Sequence, residues 1–291
     1  MKNKKSILLI LISALMFGSY GVWARLIGDS FGVFYQGWTR GLIISIILFP
    51  ILYWKKEIVP IKKEDFKWLG VFLLFTSLTQ APLFYAFNHM DIGTATVLFF
   101  VSMLLTMYII GFSFLKEKLS KIKVIAFLLA SVGLYVTFSF SLVAFSLFAA
   151  SMAILNGVAS GGEVSFSKKL TGSYSTLYIS WLSWMIVAIT NVVMSLALGE
   201  VQHLPSFNIV WLYQMGYVVT SIFAFGFVIE GLKHVEASIG GLLGLLEVVF
   251  SIIFGIVIFS EQMTLQVGVG ALLVLLAAAL PHLSSIYQKR L

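Results

Sequence analysis

Residues 111–120 read Gly-Phe-Ser-Phe-Leu-Lys-Glu-Lys-Leu-Ser, and residues 255–264 read Gly-Ile-Val-Ile-Phe-Ser-Glu-Gln-Met-Thr. Each stretch runs from a glycine to a glutamate six positions later and ends on a hydroxyl residue, and the two lie 144 positions apart. Because 144 is about half of the 291-residue chain, the match indicates an internal repeat. The same offset relates four further apolar pairs: Leu98 and Leu242, Ile109 and Ile253, Leu128 and Leu272, and Leu129 and Leu273.

The composition around these stretches is that of a membrane protein. Hydrophobic residues make up 60% of the chain and charged residues only 11%, whereas a soluble domain is about a quarter charged. A helix needs about 20 apolar residues to cross a hydrocarbon core of about 30 Å. Transmembrane β-strands would alternate in polarity, and no segment of the sequence does so. The ten predicted spans are 6–27, 31–54, 67–88, 91–115, 121–139, 142–167, 175–198, 208–232, 236–260 and 264–286.

The repeat divides these spans into two sets of five. Since five is odd, the second set enters the membrane from the opposite side. The sequence therefore predicts an all-α membrane protein with ten transmembrane helices, arranged as two inverted five-helix repeats over residues 1–140 and 141–291. Inverted repeats are typical of secondary transporters, whose substrate site lies near the membrane midplane between the two halves.

Basic residues orient the predicted bundle. Of the 19 Lys and Arg residues, 17 lie at the chain ends or in loops on one side, while Arg25 and Arg40 lie within helices. The positive-inside rule then places both termini in the cytoplasm, which predicts a multi-pass protein of the cell membrane with the lipid bilayer as its partner. This clustering explains the net charge of +7 without a nucleic-acid partner. The first apolar run lacks a small-residue cleavage site and is predicted to be a retained helix.

Short motifs recur within the spans and at their ends: Phe17-Gly18-Ser19 followed by Arg25, Arg40, Leu246-Glu247-Val248, and the glutamate elements at 115–120 and 259–264. Together they resemble the EamA-type family of the drug/metabolite transporter superfamily over essentially the whole chain. The resemblance implies a transporter of small organic molecules, often amino acids or related metabolites, that commonly acts as an exporter. The family's proline is replaced by Val248 and Leu104, which removes the usual cause of a kink at those points.

Two charges fall at mid-depth in the predicted spans. Arg40 lies about nine residues from the outer end of the second span, and Glu247 about eleven from the inner end of the ninth. Charges in a span are costly and usually face a cavity or a partner, so the pair is either a substrate clamp or a structural ion pair. Arg40 would favour a carboxylate-bearing substrate. Glu247 is a candidate for proton coupling.

The remaining intramembrane acids have less central predicted positions. Glu163 is a second proton-coupling candidate, although its position near Lys168 and Lys169 favours an ion pair with one of those lysines. The adjacent Gly161-Gly162 predicts a local break in the helix. Glu230 lies three residues from Lys233, which predicts an ion pair at the helix end. Glu117 and Glu261 lie at helix ends, where a structural role is expected.

Neutral polar and aromatic side chains complete the predicted substrate site. An amide at mid-depth either lines a cavity or bonds across helices. The aromatic candidates for a pocket are Tyr20, Trp23, Trp38, Tyr85, Trp181 and Trp184, of which Tyr20 and Trp38 lie deepest. The predicted substrate-binding residues are Arg40, Tyr20, Trp38, Gln80, Asn156, Gln214 and Tyr217.

Other classes of function lack their motifs. The sequence contains no cysteine, no metal-ligand spacing of histidines and no phosphate-binding loop, so no enzyme, metal or cofactor is predicted. The sequence therefore predicts a secondary active exporter of a small organic metabolite such as an amino acid, working by alternating access with the proton as coupling ion. A facilitative uniporter or a channel for small solutes remains the alternative, and a carrier would differ from a channel in showing saturation and counterflow.

Overall fold

The computed structural model describes residues 2–138 and 146–288, with side chains described over residues 4–138 and 146–283. Within these ranges the regular structure is entirely helical. The helices are α1 (Lys2–Gly18), α2 (Tyr20–Ile27), α3 (Val33–Lys55), α4 (Phe66–Ser77), α5 (Ala81–His89), α6 (Ile92–Phe114), α7 (Lys121–Phe138), α8 (Leu147–Leu170), α9 (Thr176–Ala197), α10 (Ile209–Leu232), α11 (Ala237–Gly244), α12 (Leu246–Phe259) and α13 (Leu265–Gln288).

Ten helical stretches in the described part of the chain are long and apolar enough to cross a membrane, which confirms the predicted fold class. The predicted sixth span begins too early, since α8 begins at Leu147. Ser146 caps the helix, because its Oγ accepts a hydrogen bond from the Ala149 N–H at 3.3 Å. The predicted boundary between residues 140 and 141, and the predicted span ends at 139 and 142–145, lie outside the described residues.

Three of the spans consist of two helices each. The chain is interrupted at Ser19 between α1 and α2, at residues 78–80 between α4 and α5, and at Leu245 between α11 and α12. The second interruption has a covalent cause, because Pro82 has no N–H to donate to the carbonyl four residues before it.

The predicted break at Gly161-Gly162 is wrong, since α8 runs unbroken through both residues. These glycines instead allow close packing. A Cβ on Gly161 would lie 2.5 Å from the Met103 carbonyl oxygen, and one on Gly162 would lie 2.6 Å from the Phe75 ring. Small residues at helix interfaces serve this purpose in membrane proteins.

Helices from the first and second series of five spans interleave. The first span of each series packs against the third and fourth spans of the other: α1 contacts α10 and α12, and α8 contacts α4 and α6. The second spans, α3 and α9, pack together, as do the fifth spans, α7 and α13. This exchange of equivalent contacts is what two inverted copies sharing one core produce.

The loops define two faces of the bundle. On the N-terminal face, where α1 begins, the Tyr174 hydroxyl donates to Asp65 Oδ2 at 2.9 Å. On the opposite face, the Tyr35 hydroxyl donates to the His203 carbonyl at 2.6 Å. Between the faces, apolar side chains such as Leu74 and Val257 are exposed on the helix surfaces, as expected for contact with lipid.

Candidate functional site

Arg40 of α3 lies in a cage of three aromatic rings. Its guanidinium carbon is 4.0 Å from the ring centroid of Tyr217, 5.3 Å from that of Tyr20 and 5.5 Å from that of Trp184. The rings come from α10, α2 and α9, so the aromatic cage, defined as Arg40 with these three residues, joins four helices. A cation over an aromatic face is stabilised by the ring quadrupole, and here only 8% of Arg40 is exposed.

Arg40 has no counter-charge in the described part of the chain. The ion pairs there involve other residues, and neither Arg40 nor Glu247 belongs to one. Arg40 Nε is buried and has no hydrogen-bond acceptor among the described residues. The two charges lie near the two ends of one short segment, because Tyr20 contacts Arg40 while Gly18, two residues earlier, lies against the turn that holds Glu247. Since a guanidinium stays charged when buried, this arrangement suits an anionic ligand group such as a carboxylate.

A polar stripe on α10 borders the cage. Gln214, Tyr217 and Ser221 are spaced by three and four residues and share one helix face. Gln214 Nε2 donates to the Gln36 carbonyl at 2.9 Å and to Thr39 Oγ1 at 2.8 Å, which fixes the amide against α3. Its Oε1 and the Ser221 Oγ are buried without a partner in the described chain. Because buried polar atoms are nearly always bonded, these atoms are candidates to bind a ligand.

Two predicted site residues donate to backbone carbonyls at the interruption between α4 and α5 or from it. Asn156 Nδ2 donates at 3.1 Å to the Leu78 carbonyl, the one that the ring of Pro82 leaves without its helical donor. Gln80 Nε2 donates at 3.1 Å to the Val33 carbonyl at the start of α3. Both amides therefore stabilise the junction between α4 and α5.

Trp38 lies at the rim rather than in the aromatic cage. Its Nε1 donates to Gln202 Oε1 at 3.2 Å, in the chain between α9 and α10. Its ring packs edge to face on Tyr35, with centroids 5.3 Å apart. Trp38 thus belongs to an aromatic cluster near the opposite face of the bundle.

Glu163 is buried between three helices and does not pair with a lysine. Its Oε1 accepts hydrogen bonds from Thr76 Oγ1 of α4 at 3.0 Å and from Ser183 Oγ of α9 at 2.6 Å. The favoured lysine pairing is wrong, because Lys168 binds Glu117 at 2.9 Å and Lys169 lies over a tryptophan ring. A carboxylate bonded only to hydroxyls is costly within a span, which makes Glu163 a candidate functional group.

Glu247 lies in the first turn of α12, directly after the interruption at Leu245. Gly18 lies against the same turn: a Cβ there would be 2.9 Å from the Glu247 carbonyl oxygen and 2.8 Å from Phe250 Cβ. The end of α1 can approach α12 this closely only because residue 18 has no side chain. Gly18 therefore sets the position of Glu247 relative to Tyr20, two residues further along the chain.

The ion pair predicted for Glu230 is confirmed. Lys233 Nζ lies 2.6 Å from Glu230 Oε2, and the Thr176 hydroxyl donates to the same oxygen at 2.5 Å. Glu117 also has the expected position at a helix end, where it binds the start of α11.

Sequence reasoning missed the polar face of α9. Ser183 binds Glu163, the Ser180 hydroxyl is buried without a partner in the described chain, and Asn191 Oδ1 is likewise buried and lies against Gly37. These three residues follow a helical spacing within an apolar span, and the same arithmetic that found the stripe on α10 would have found them.

Comparisons with known proteins agree with this architecture. The family model described as the EamA-like transporter family matches residues 4–139 and 147–281, which are two successive repeats. A search of curated proteins finds no match to the sequence. One solved chain, whose title reads only "Crystal structure of protein", shares 16% sequence identity with a TM-score of 0.79, and the alignment covers 98% of this chain and 99% of that one. That likeness shows the fold, while the family model matches nearly the full length; the chain is a membrane protein that belongs to the EamA-like transporter family.

Proposed function

We propose that the protein is a secondary carrier that exports a small carboxylate-bearing metabolite, with amino acids as the substrate class. The observation that carries this proposal is the aromatic cage, where a buried arginine has three rings around it and no counter-charge in the described chain. A carboxylate would supply that charge, and the rings would contact the apolar part of the substrate. We propose that the unpaired Glu247, in the turn of α12 that packs against Gly18, binds the ammonium group of an amino acid or carries a proton.

The proposed cycle is alternating access with protons as the coupling ion. Within the α-helices of the described chain the carboxylates are Glu163, Glu230 and Glu247, and of these only Glu230 pairs with a cation. Because unpaired carboxylates are expensive to keep charged within a span, we propose that Glu163 and Glu247 take up and release protons as the site changes sides. The lysine-rich N-terminal face is proposed to be cytoplasmic, with the protein in the cell membrane.

The test uses the purified protein in proteoliposomes that contain a pH-sensitive dye. Counterflow of labelled amino acids measures the carrier, and dye fluorescence measures the protons. Arg40→Gln is expected to raise the KM for counterflow by about ten- to a hundredfold, because hydrogen bonds to charged groups contribute about 1.5–3 kcal/mol. It should remain folded, since it breaks no ion pair. Lys55→Gln, an exposed change of the same charge on the same helix, is the control.

Glu247→Gln and Glu163→Gln separate the modes of transport, with the exposed Glu64→Gln as their control. Substrate-dependent proton flux that either variant abolishes supports proton coupling through that residue. Saturable counterflow without any proton signal in the unaltered protein would contradict coupling and indicate a facilitative uniporter. Flux that does not saturate would contradict the carrier and indicate a channel. An Arg40→Gln protein with an unchanged KM would contradict the proposed substrate site.

A further inference from the structure

The repeated glutamate elements have the same backbone geometry in both halves. Lys116 and Ser260 adopt left-handed conformations, with φ of 58° and 56°. The next residue then folds back in each element, so that the Glu117 N–H donates to the Gly111 carbonyl at 2.9 Å and the Glu261 N–H donates to the Gly255 carbonyl at 3.2 Å. Each carboxylate lies over the glycine of its own element. The two elements are therefore structurally equivalent as well as similar in sequence.

Glu117 joins the two halves on the N-terminal face. Its carboxylate accepts hydrogen bonds from Lys168 Nζ at 2.9 Å and from the N–H groups of Ala237 and Ser238 at 2.5 and 3.2 Å. The Ser238 hydroxyl adds a bond at 3.1 Å. We name this set the Glu117 latch. It connects the end of α6 to α8 and to the start of α11, and the Glu117 side chain is only 6% exposed.

Glu261 has one ionic partner, on the opposite face. It pairs with Arg25 at the end of α2, and we name this pair the Glu261 latch. The two side chains are 55% and 52% exposed, and the Arg25 guanidinium also lies 4.1 Å from the centroid of the Phe259 ring. The element that contains Glu117 is therefore buried on the N-terminal face, whereas the equivalent element that contains Glu261 is exposed on the opposite face.

The repeat offset relates the two latches residue by residue. Subtracting 144 maps Glu261 onto Glu117, and adding 144 maps Arg25 onto residue 169, one position from Lys168. The same subtraction maps Ala237 and Ser238 onto Gly93 and Thr94 at the start of α6. In this structure the Thr94 N–H and hydroxyl donate to Asp91 Oδ1 at 2.8 and 2.9 Å. Glu117 therefore caps the first turn of α11 from the other half of the chain. The equivalent first turn of α6 is capped by Asp91, which directly precedes it.

We propose that the two latches close in alternation during transport, an inference that rests on the proposed alternating-access function. In the state described here, the Glu117 latch seals the N-terminal face. In the other state, Glu117 keeps an exposed pair with Lys168 but releases the start of α11, as Glu261 now pairs only with Arg25. Glu261 then takes the donors of Gly93 and Thr94 in place of Asp91 and seals the opposite face. Helix N-termini favour a carboxylate in either place because their first N–H groups lack helical partners. Glu117, Lys168, Arg25 and Glu261 are thus positioning residues that set which face is open.

The absence of cysteine from the sequence makes distance measurements straightforward. Spin labels at Leu119→Cys and His234→Cys report the separation of Glu117 from the start of α11 on the N-terminal face. Labels at Gln262→Cys and Ile92→Cys report the separation of Glu261 from the start of α6 on the opposite face; all four residues are exposed. Electron–electron double resonance on the labelled protein in nanodiscs gives the two distance distributions.

Glu117→Gln is expected to lengthen the distance across the N-terminal face and shorten the distance across the opposite face. Lys168→Met should change both distances in the same way. It serves as the second variant if Glu117→Gln folds poorly, because it leaves the bonds of Glu117 to Ala237 and Ser238 in place. The matched control is Glu230→Gln, which removes a carboxylate from the same face but from an ion pair with Lys233 and a hydrogen bond from Thr176, neither of which involves α6 or α11. Adding Glu261→Gln to Glu117→Gln should return both distributions towards the original ones, because both latches are then weakened.

Outcomes for the latches and for the proposed function are separable. Distances in Glu117→Gln and Lys168→Met that match those of Glu230→Gln overturn the latches, even where amino-acid counterflow is normal. A lengthening on the N-terminal face without shortening on the opposite face also overturns alternation, since it shows local loosening only. Shifts in both distances support the latches, and an absence of counterflow in the unaltered protein then counts against the proposed substrates alone.

Discussion

Replacing Gly18 with alanine tests the closest contact at the candidate site. The added Cβ would lie 2.8 Å from Phe250 Cβ, 2.9 Å from the Glu247 carbonyl oxygen and 3.1 Å from the Ser251 nitrogen. Two of these three atoms are backbone, so the clash is relieved only when α1 or α12 moves. A movement of either helix displaces Glu247 relative to the aromatic cage.

The expected cost follows from packing and helix propensity. Overpacking of a close-packed contact costs about 1–3 kcal/mol, while exchanging glycine for alanine within a helix gains up to about 1 kcal/mol. We expect Gly18→Ala to lose about 1–2 kcal/mol of stability, since Gly18 is the last residue of α1 and gains little from propensity. Gly21→Ala is the matched control, because no heavy atom lies within 4 Å of its added Cβ and only the gain remains.

Thermal unfolding of the purified variants in detergent, followed by tryptophan fluorescence, measures the difference. At about 2–4 °C per kcal/mol, Gly18→Ala should melt several degrees below the unaltered protein and Gly21→Ala at or above it. Counterflow should fall in Gly18→Ala and persist in Gly21→Ala. A Gly18→Ala protein that melts with the Gly21→Ala protein and transports normally would refute the close approach of α1 to α12.

Two further predictions concern acids that bind backbone N–H groups. Burial acts to raise the pKa of Glu117, but hydrogen bonds from Lys168 and the Ala237 N–H outweigh it and hold the pKa below its usual value. Its stabilisation is therefore present at neutral pH and is lost as the pH falls through that lowered pKa. The deficit in Tm of Glu117→Gln at pH 7 should therefore persist into the acidic range and disappear only below the pH at which an ordinary glutamate titrates. Glu200 accepts hydrogen bonds from the Phe34 and Tyr35 N–H groups at 3.1 and 2.6 Å. In the same melting assay, Glu200→Ala should lose about 1–2 kcal/mol of stability, because it leaves both N–H groups without their acceptor. The control Glu64→Ala, at an exposed residue, should leave the Tm unchanged.

The spans could be predicted from sequence because membrane crossing depends on apolar length, which is read directly. Their interruptions could not, since two of the three contain no proline, which is the usual cause of a break in a helix. The interruption before α5 is the exception, because Pro82 predicts it from the sequence. Asn156 supplies the hydrogen-bond donor that the proline lacks. The predicted break at Gly161-Gly162 failed for the converse reason, because glycine permits both bending and close packing and only the neighbouring helices decide between them.

The charged residues of the candidate site could be predicted from sequence, but most of the side chains that contact them could not. Arg40 and Glu247 are conspicuous because few charges fall at mid-depth in the spans, and the structure places Tyr20 and Tyr217 around Arg40 as the sequence suggested. Whether the two charges pair depends on the register between α3 and α12, which no local pattern encodes. The lysine pairing expected of Glu163 failed for the same reason, since Thr76 and Ser183 reach it from helices distant in sequence.

The two glutamate elements show why part of the structure lies beyond any reading of one sequence. Glu117 and Glu261 occupy equivalent positions with the same backbone, yet one side chain is 6% exposed and the other 52%. No difference in local propensity accounts for this, because both elements fold alike. Under the proposed alternation, the difference depends on which face of the bundle is closed, and two such states commonly differ by only a few kcal/mol. On that proposal the sequence encodes both arrangements, and contacts between distant helices select one.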